Sequence, residues 1–212
     1  MRKIDKTKIF ASQYKTWIDS LDKQNKPHPP YNSSNNEYYY DIVMNLLYCQ
    51  RGLCAYTEVK LYDISKFKES DWKDGKYLGE KNIWKGQLDH FVPKADKNFK
   101  SYWSWDNFFM VESDTNRVKS NQSVDVILKP DREGYDEFQL FDYDSVTHMF
   151  IANTDLPNLE NNQVEKMIDL LGLNHCTLVS RRKEIVESAV NQGANLVEFP
   201  TAIAFYRMSK RK

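Results

Sequence analysis

Apolar residues fall at helical spacing toward both ends of the chain and in short runs through its middle. Ile9, Phe10, Tyr14, Trp17, Ile18 and Leu21 recur at helical intervals and predict an amphipathic helix over residues 1–22. Lys26-Pro27-His28-Pro29-Pro30 stops it, and the polar run 32–36 continues the linker, with His28 read as plain loop. A second helix is expected over 36–50, with Tyr39, Ile42, Val43, Leu46 and Leu47 on one face and Gly52 as its stop. Residues 60–86 are Lys-rich and dotted with aromatics, which suits an inserted loop or small hairpin. Further on, 124–128, 138–143 and 148–152 read as strands, with His148 on a sheet face. Helices over 159–171 and 177–192 follow, ending near Gly172 and Gly193. The apolar, aromatic segment 196–208 is either a final packed helix or strand, or a strip that binds a partner.

The densest chemistry lies in residues 87–122. Gln87-Leu88-Asp89-His90 is a short strand carrying an Asp-His pair at its end, broken by Pro93. Phe108 to Val111 is a second strand, and a helix starts after it, with Ser113 or Asp114 as N-cap and Asn116 in the first turn. Strand, loop, strand and helix would bring a carboxylate, an imidazole and a carboxamide into one small polar site. That set suits metal-assisted hydrolysis. Asp and Asn offer hard oxygen ligands to a divalent cation, and a neutral His takes the proton from water.

Composition narrows the class. At 212 residues the chain can bury a core without disulfides. Its three cysteines, Cys49, Cys54 and Cys176, are an odd number at uneven spacing, so a reducing cytoplasm is expected. Nothing resembles a signal peptide, and no apolar run approaches the roughly 20 residues that span a bilayer. Thirty basic residues balance thirty acidic ones, whereas proteins that grip phosphates usually show a basic excess. Local basic clusters stand at 181–183 and 207–212, and their ordinary reading is a solvated helix face and a frayed tail. Trp72, Lys73, Lys76 and Tyr77 could stack on bases, but an ordinary surface loop is the expected reading.

At Asp89-His90, Asn107 and Asn116-Arg117-x-Lys119 the chain resembles the HNH, or ββα-metal, nuclease superfamily. The nine-residue step from Asn107 to Asn116 is similar to the HNH domain of CRISPR guide-directed nucleases. The wider frame resembles Septu-type and retron-associated HNH proteins of bacterial defence. It comprises Cys54-Ala55-Tyr56-Thr57-Glu58, His90-Phe91-Val92-Pro93-Lys94, Trp105-Asp106-Asn107, Glu112-Ser113-Asp114-Thr115-Asn116 and Leu171-Gly172-Leu173-Asn174. The resemblance covers roughly residues 35–190. It implies His90 as general base, Asp89 and Asn116 as ligands of one Mg²⁺ or Mn²⁺, and Asn107 as holder of the loop that orients His90. It further implies Arg117, Lys119 and Lys94 as nucleic-acid contacts. In that family a zinc knuckle uses four cysteines. Here the four positions are Cys54, Thr57, Glu112 and Thr115, and one thiolate with one carboxylate cannot close such a site, so no structural zinc is expected.

The expected fold is α+β: a ββα-metal core with flanking N- and C-terminal helices and a small additional sheet. A helical extension and linker would occupy 1–35, the nuclease domain 36–195, and a packed segment with a basic tail 196–212. The expected function is a metal-dependent endonuclease, DNA favoured, in anti-phage defence beside an ATPase partner. An RNA-cleaving nuclease and an inactive HNH-fold interaction module are the alternatives. The missing cysteines favour the module, and retention of Asp89, His90, Asn107 and Asn116 opposes it.

Overall fold

From its first residues the chain runs extended, then forms α1 (Ser12–Lys23) and α2 (Tyr39–Cys49). A tiny hairpin follows, β1 (Trp72–Lys73) with β2 (Lys76–Tyr77). Next come β3 (Gln87–His90) and β4 (Phe108–Val111), and directly after them α3 (Ser113–Lys119). The one-turn α4 (Glu137–Leu140) leads into the hairpin of β5 (Phe141–Asp144) and β6 (Met149–Ala152). Helices α5 (Asn158–Leu170), α6 (Cys176–Asn191) and α7 (Pro200–Ser209) complete the chain, and the fold is mixed α+β. This computed structural model describes residues 1–24, 28–33, 36–81, 83–94, 101–192 and 197–210. Lys26, Pro27, part of the 32–36 run, Gly193, Leu196, Arg211 and Lys212 lie outside the described residues. Among the described residues no helix is long and apolar enough to cross a membrane.

β4 is the centre of the core. All four of its residues are buried, which requires cover on both faces and both edges. One edge pairs with β3, Asp89 opposite Phe109 and His90 opposite Phe108. Among the described residues the other edge has no partner strand and is met chiefly by a side chain. The Gln50 carboxamide donates to Met110 O at 2.7 Å and accepts from Met110 N–H at 2.8 Å. Ala55 N–H adds a bond to Met110 O at 3.0 Å. Gln50 sits there because α2 ends in a tight turn at Gly52, whose φ is +75°. A Cβ on Gly52 would meet Tyr62 O at 2.3 Å, so only glycine fits.

Several elements differ from the sequence pattern. Residues 1–10 are not helical: Ile4 N–H donates to Pro130 O, and the buried Lys6 ammonium reaches Trp105 O, Phe108 O and Asp131. Helical spacing of Ile9 and Phe10 misled, because those side chains pack on an extended segment held by Asn45, which accepts from Phe10 N–H and Ala11 N–H. Met1, Ile4, Ala11, Tyr14 and Ile18 belong to the same buried core as β4, although the pattern set them outside the nuclease domain. His28 is buried rather than plain loop, with Nδ1 accepting from Trp103 N–H and Nε2 3.1 Å from Asp22. The run at 124–128 forms a 3-10 turn over Val126–Leu128, and the segment before β5 forms α4.

The small hairpin at 72–77 turns its rings inward. Trp72 stacks on Phe10 and lies against the buried Tyr77, so neither ring is offered to a base. In the cluster at 181–183, Arg182 is buried, donating to His148 O and Leu173 O, and Arg181 forms a bidentate pair with Glu198. Asn174 accepts from Phe150 N–H and donates to Phe150 O, closing the free edge of β6. The C-terminal segment is the packed helix α7. Pro200 occupies its first turn, and the Glu58 carboxylate accepts from Thr201 N–H at 3.0 Å.

Gln50→Leu should lower the unfolding free energy by about 2–3 kcal/mol, because it strips a buried strand edge of its hydrogen bonds. Urea denaturation measures this, and a loss below about 0.5 kcal/mol would mean that the β4 edge finds other partners.

Candidate functional site

Successive residues of a strand point to opposite faces, so Asp89 and His90 leave β3 on different sides of the ribbon. The His90 side is walled by aromatic rings, Tyr31 at 4.7 Å and Phe108 at 4.9 Å between ring centres, both edge-on. His90 Nε2 lies 3.0 Å from Tyr102 O. A carbonyl only accepts, so Nε2 carries the proton and Nδ1 is left as the acceptor. Burial pulls the imidazole down to about 4. The Tyr102 carbonyl opposes that shift, while the Lys94 and Lys119 charges add to it. His90 is therefore neutral at pH 7, the state a base must start from.

Asn107 holds the next residues in place. Its Oδ1 accepts from Val92 N–H at 2.7 Å, and its Nδ2 donates to Val92 O at 3.1 Å. Phe91 N–H also donates to Asn107 O at 2.9 Å. The strand end bearing His90 is thus clamped within two residues of the imidazole. Asn116, on α3, donates to Gln87 Oε1 at 2.9 Å, and its Oδ1 accepts no hydrogen bond among the described residues. Asp89, His90, Lys94, Asn116 and Arg117 line one shallow cleft of about 330 Å³. Lys94 lies over the Tyr31 ring at 4.6 Å, and Arg117 is largely exposed beside Asp114. A larger cleft of about 700 Å³ lies along the N-terminal segment, but it holds none of the sequence-predicted site residues.

On the other side of the ribbon, Asp89 is buried. Its Oδ2 accepts from Tyr56 OH at 2.7 Å, and its Oδ1 pairs with Lys119 Nζ at 3.0 Å. The same ammonium donates to His90 O at 2.7 Å and is fully buried. Lys119 was expected on the surface, against a phosphate. It lies inside instead, because the last turn of α3 faces β3 and the buried carboxylate there needs a counter-ion. Burial raises the Asp89 carboxyl, and the Lys119 charge and Tyr56 hydroxyl oppose that rise. Tyr56 is pushed well above its ordinary range, first by burial and then by the neighbouring carboxylate.

Three of the four positions that the resemblance aligns with a zinc knuckle, Cys54, Thr57 and Glu112, lie together. Cys54 Sγ accepts from Thr57 N–H at 3.4 Å and from Glu112 N–H at 3.3 Å, and the Thr57 hydroxyl lies 3.5 Å from Glu112 Oε2. Thr115 is buried in the first turn of α3, which Glu112 begins. Burial raises both the Cys54 thiol and the Glu112 carboxyl, so the cluster favours neutral, hydrogen-bonded forms. Among the described residues no three His, Cys, Asp or Glu side chains converge.

No protein-family model matches the chain, and no curated protein matches its sequence.

Tyr56 carried a sequence signal only as a core aromatic, and its bond to Asp89 was not foreseen. Tyr31 and the Tyr102 carbonyl gave none, since one is far away in the chain and the other is backbone.

His90 is neutral in the fold and has an ordinary value near 6.5 when unfolded, so between these limits the unfolded chain binds more protons. Its contribution is present above about pH 6.5 and is lost as pH falls toward 4, by up to about 3 kcal/mol. Denaturation of wild type against His90→Gln across pH 4–7 should show this as a steeper acid loss in wild type. Parallel curves would contradict it.

Proposed function

We propose that the protein is a metal-dependent endonuclease of the HNH, ββα-metal type that hydrolyses phosphodiester bonds of nucleic acid. The observation that carries this is the state of His90. A neutral imidazole fixed as its Nε2–H tautomer, with its strand end clamped by Asn107, lines a cleft shared with Asp89 and Asn116. A general base must begin neutral with one ring nitrogen free to accept, and this arrangement supplies both.

The donor set suits one Mg²⁺ or Mn²⁺. Asp89 Oδ1 accepts from Lys119 and Oδ2 from Tyr56, and Asn116 Oδ1 accepts no hydrogen bond among the described residues. Mg²⁺ commonly takes few protein oxygens and completes its shell with water and phosphate. When bound, the ion would stabilise the charge that builds on the phosphate and the leaving oxygen. His90 Nδ1 takes the proton from the attacking water, Tyr102 O holds the ring, and Asn107 holds the strand end. Arg117 and Lys94 stand at the cleft to meet flanking phosphates.

The site attacks a phosphodiester and does not itself read the sugar, so DNA is favoured on resemblance alone and RNA is the alternative. The balanced overall charge fits a nuclease that draws affinity from a partner, and an ATPase in bacterial anti-phage defence is the partner proposed. The second reading is an inactive interaction module. One observation favours it: both Asp89 oxygens are engaged by side chains of this chain.

Nicking of supercoiled plasmid, with a structured RNA in parallel, tests the proposal at neutral pH with Mg²⁺ or Mn²⁺. Wild type should cleave one of them, EDTA should abolish it, and His90→Ala should lower the rate by about 10²–10⁴-fold. An inert wild type that also binds no Mn²⁺ by calorimetry would leave the module as the reading.

A further inference from the structure

Lys119 is the one group in the site whose position conflicts with its expected task. Its side chain is fully buried, with Nζ 3.0 Å from Asp89 Oδ1 and 2.7 Å from His90 O. Yet Lys119, itself no part of the cleft lining, is flanked along the chain by residues that are, Asn116 and Arg117 before it. It is the last residue of α3, and the two residues that follow, Ser120 and Asn121, line the opening. A lysine there has two places within reach of one flexible four-carbon stem, the carboxylate beneath and the cleft in front.

We infer that Lys119 is a two-position residue: its ammonium is the resident counter-ion of Asp89, and a divalent cation reaches Asp89 by displacing it into the cleft, where it meets substrate phosphate. The inference rests on the reading of Asp89 as a metal ligand. An ammonium already fills the coulombic need of the carboxylate, and a dication beside it would be a like charge at close range in a poorly solvated place. The two cations therefore compete for Asp89. Tyr56 does not compete, because its hydroxyl is neutral and occupies only one acceptor position on the other oxygen. Displacement costs Lys119 both of its hydrogen bonds, and phosphate oxygens of a bound nucleic acid are the acceptors that replace them. Metal and nucleic acid should then bind cooperatively, with the free protein holding its site closed. The surface role expected of Lys119 and its buried position become two states of one residue.

Calorimetric titration with Mn²⁺ alone tests this, comparing wild type with Lys119→Gln. Glutamine keeps a donor for the His90 carbonyl and removes the competing charge. Mn²⁺ should bind the variant at least tenfold more tightly than wild type. A second readout needs no variant. Acetylation of wild type followed by mass spectrometry should find Lys119 protected without metal and reactive when Mn²⁺ is added. If Mn²⁺ binds wild type and variant alike and Lys119 stays protected, the residue is a permanent counter-ion; the inference then falls while the nuclease reading stands. If neither protein binds Mn²⁺, both fall together. Should Lys119→Gln fail to fold, the labelling of wild type decides alone.

Discussion

The buried pair of Asp89 and Lys119 fixes the relation between the β3–β4 ribbon and the helix that follows it. α3 is seven residues long, too short to hold itself together in water, and its first turn carries no side-chain cap. Its place depends on the contacts at its two ends. Thr115 is buried near the start, and Lys119 at the end is bound to both the side chain and the backbone of the Asp89-His90 pair. Removing one member of such a pair leaves a buried charge uncompensated, at a cost of about 3–5 kcal/mol. The helix that presents Asn116 and Arg117 to the cleft is therefore seated by the same ions that set the state of Asp89. Fold and site share one electrostatic element.

The His90 side of the ribbon is held differently, by neutral hydrogen bonds and rings drawn from distant parts of the chain. Tyr102 O fixes the tautomer, and the neighbouring Trp103 is itself held from the N-terminal region. Trp103 Nε1–H donates to Pro29 O, its N–H donates to His28 Nδ1, and its carbonyl accepts from the Tyr14 hydroxyl. Tyr31 then packs against both Trp103 and His90. Tyr14, His28, Pro29 and Tyr31 thus build one wall of the His90 pocket, directly or through Trp103. This is why burial, rather than any charge, dominates the depression of the His90 pKa.

What the sequence revealed and what it hid follow from the range of each interaction. β3, β4 and α3 were legible because Pro93, the unbroken apolar run 108–111 and the polar start of the helix are local signals. The run Val126-Ile127-Leu128 has strand propensity, yet Asp125 accepts from Ile127 N–H and winds it into a 3-10 turn. Asp136 does the same for Phe138 at the start of α4. In both cases an aspartate two residues ahead of an apolar residue outweighed strand propensity, a signal that is present in the chain and easily overlooked. In the site, Asp89, His90, Lys94, Asn116 and Arg117 line one cleft. The inward turn of Lys119 does not follow from spacing, because it depends on how much solvent reaches Asp89 once Tyr56 covers it. The extended path of residues 1–10 was hidden for a related reason: its anchor is a buried lysine, a residue that patterning counts as surface.

The turn at 54–57 and the start of α3 are joined by sulfur hydrogen bonds and packing. Four thiolates around zinc would tie the 54–57 turn to the start of α3 through strong directional bonds. Here the same two segments meet through the Cys54 sulfur, which accepts from one backbone N–H of each. Those bonds are weak singly, so neighbouring packing must supply the rest. Ala55, Tyr56 and Val59 are buried beside Phe109 and Val111, and Glu58 ties the turn to α7 through Thr201. The tie to α7 spans 143 residues of sequence and brings the C-terminal helix onto the turn. The knuckle is thus held from three directions by neutral contacts and one carboxylate. Tyr56 belongs to this packing and to the Asp89 network at once, since its ring lies against Phe109 and its hydroxyl donates to Asp89.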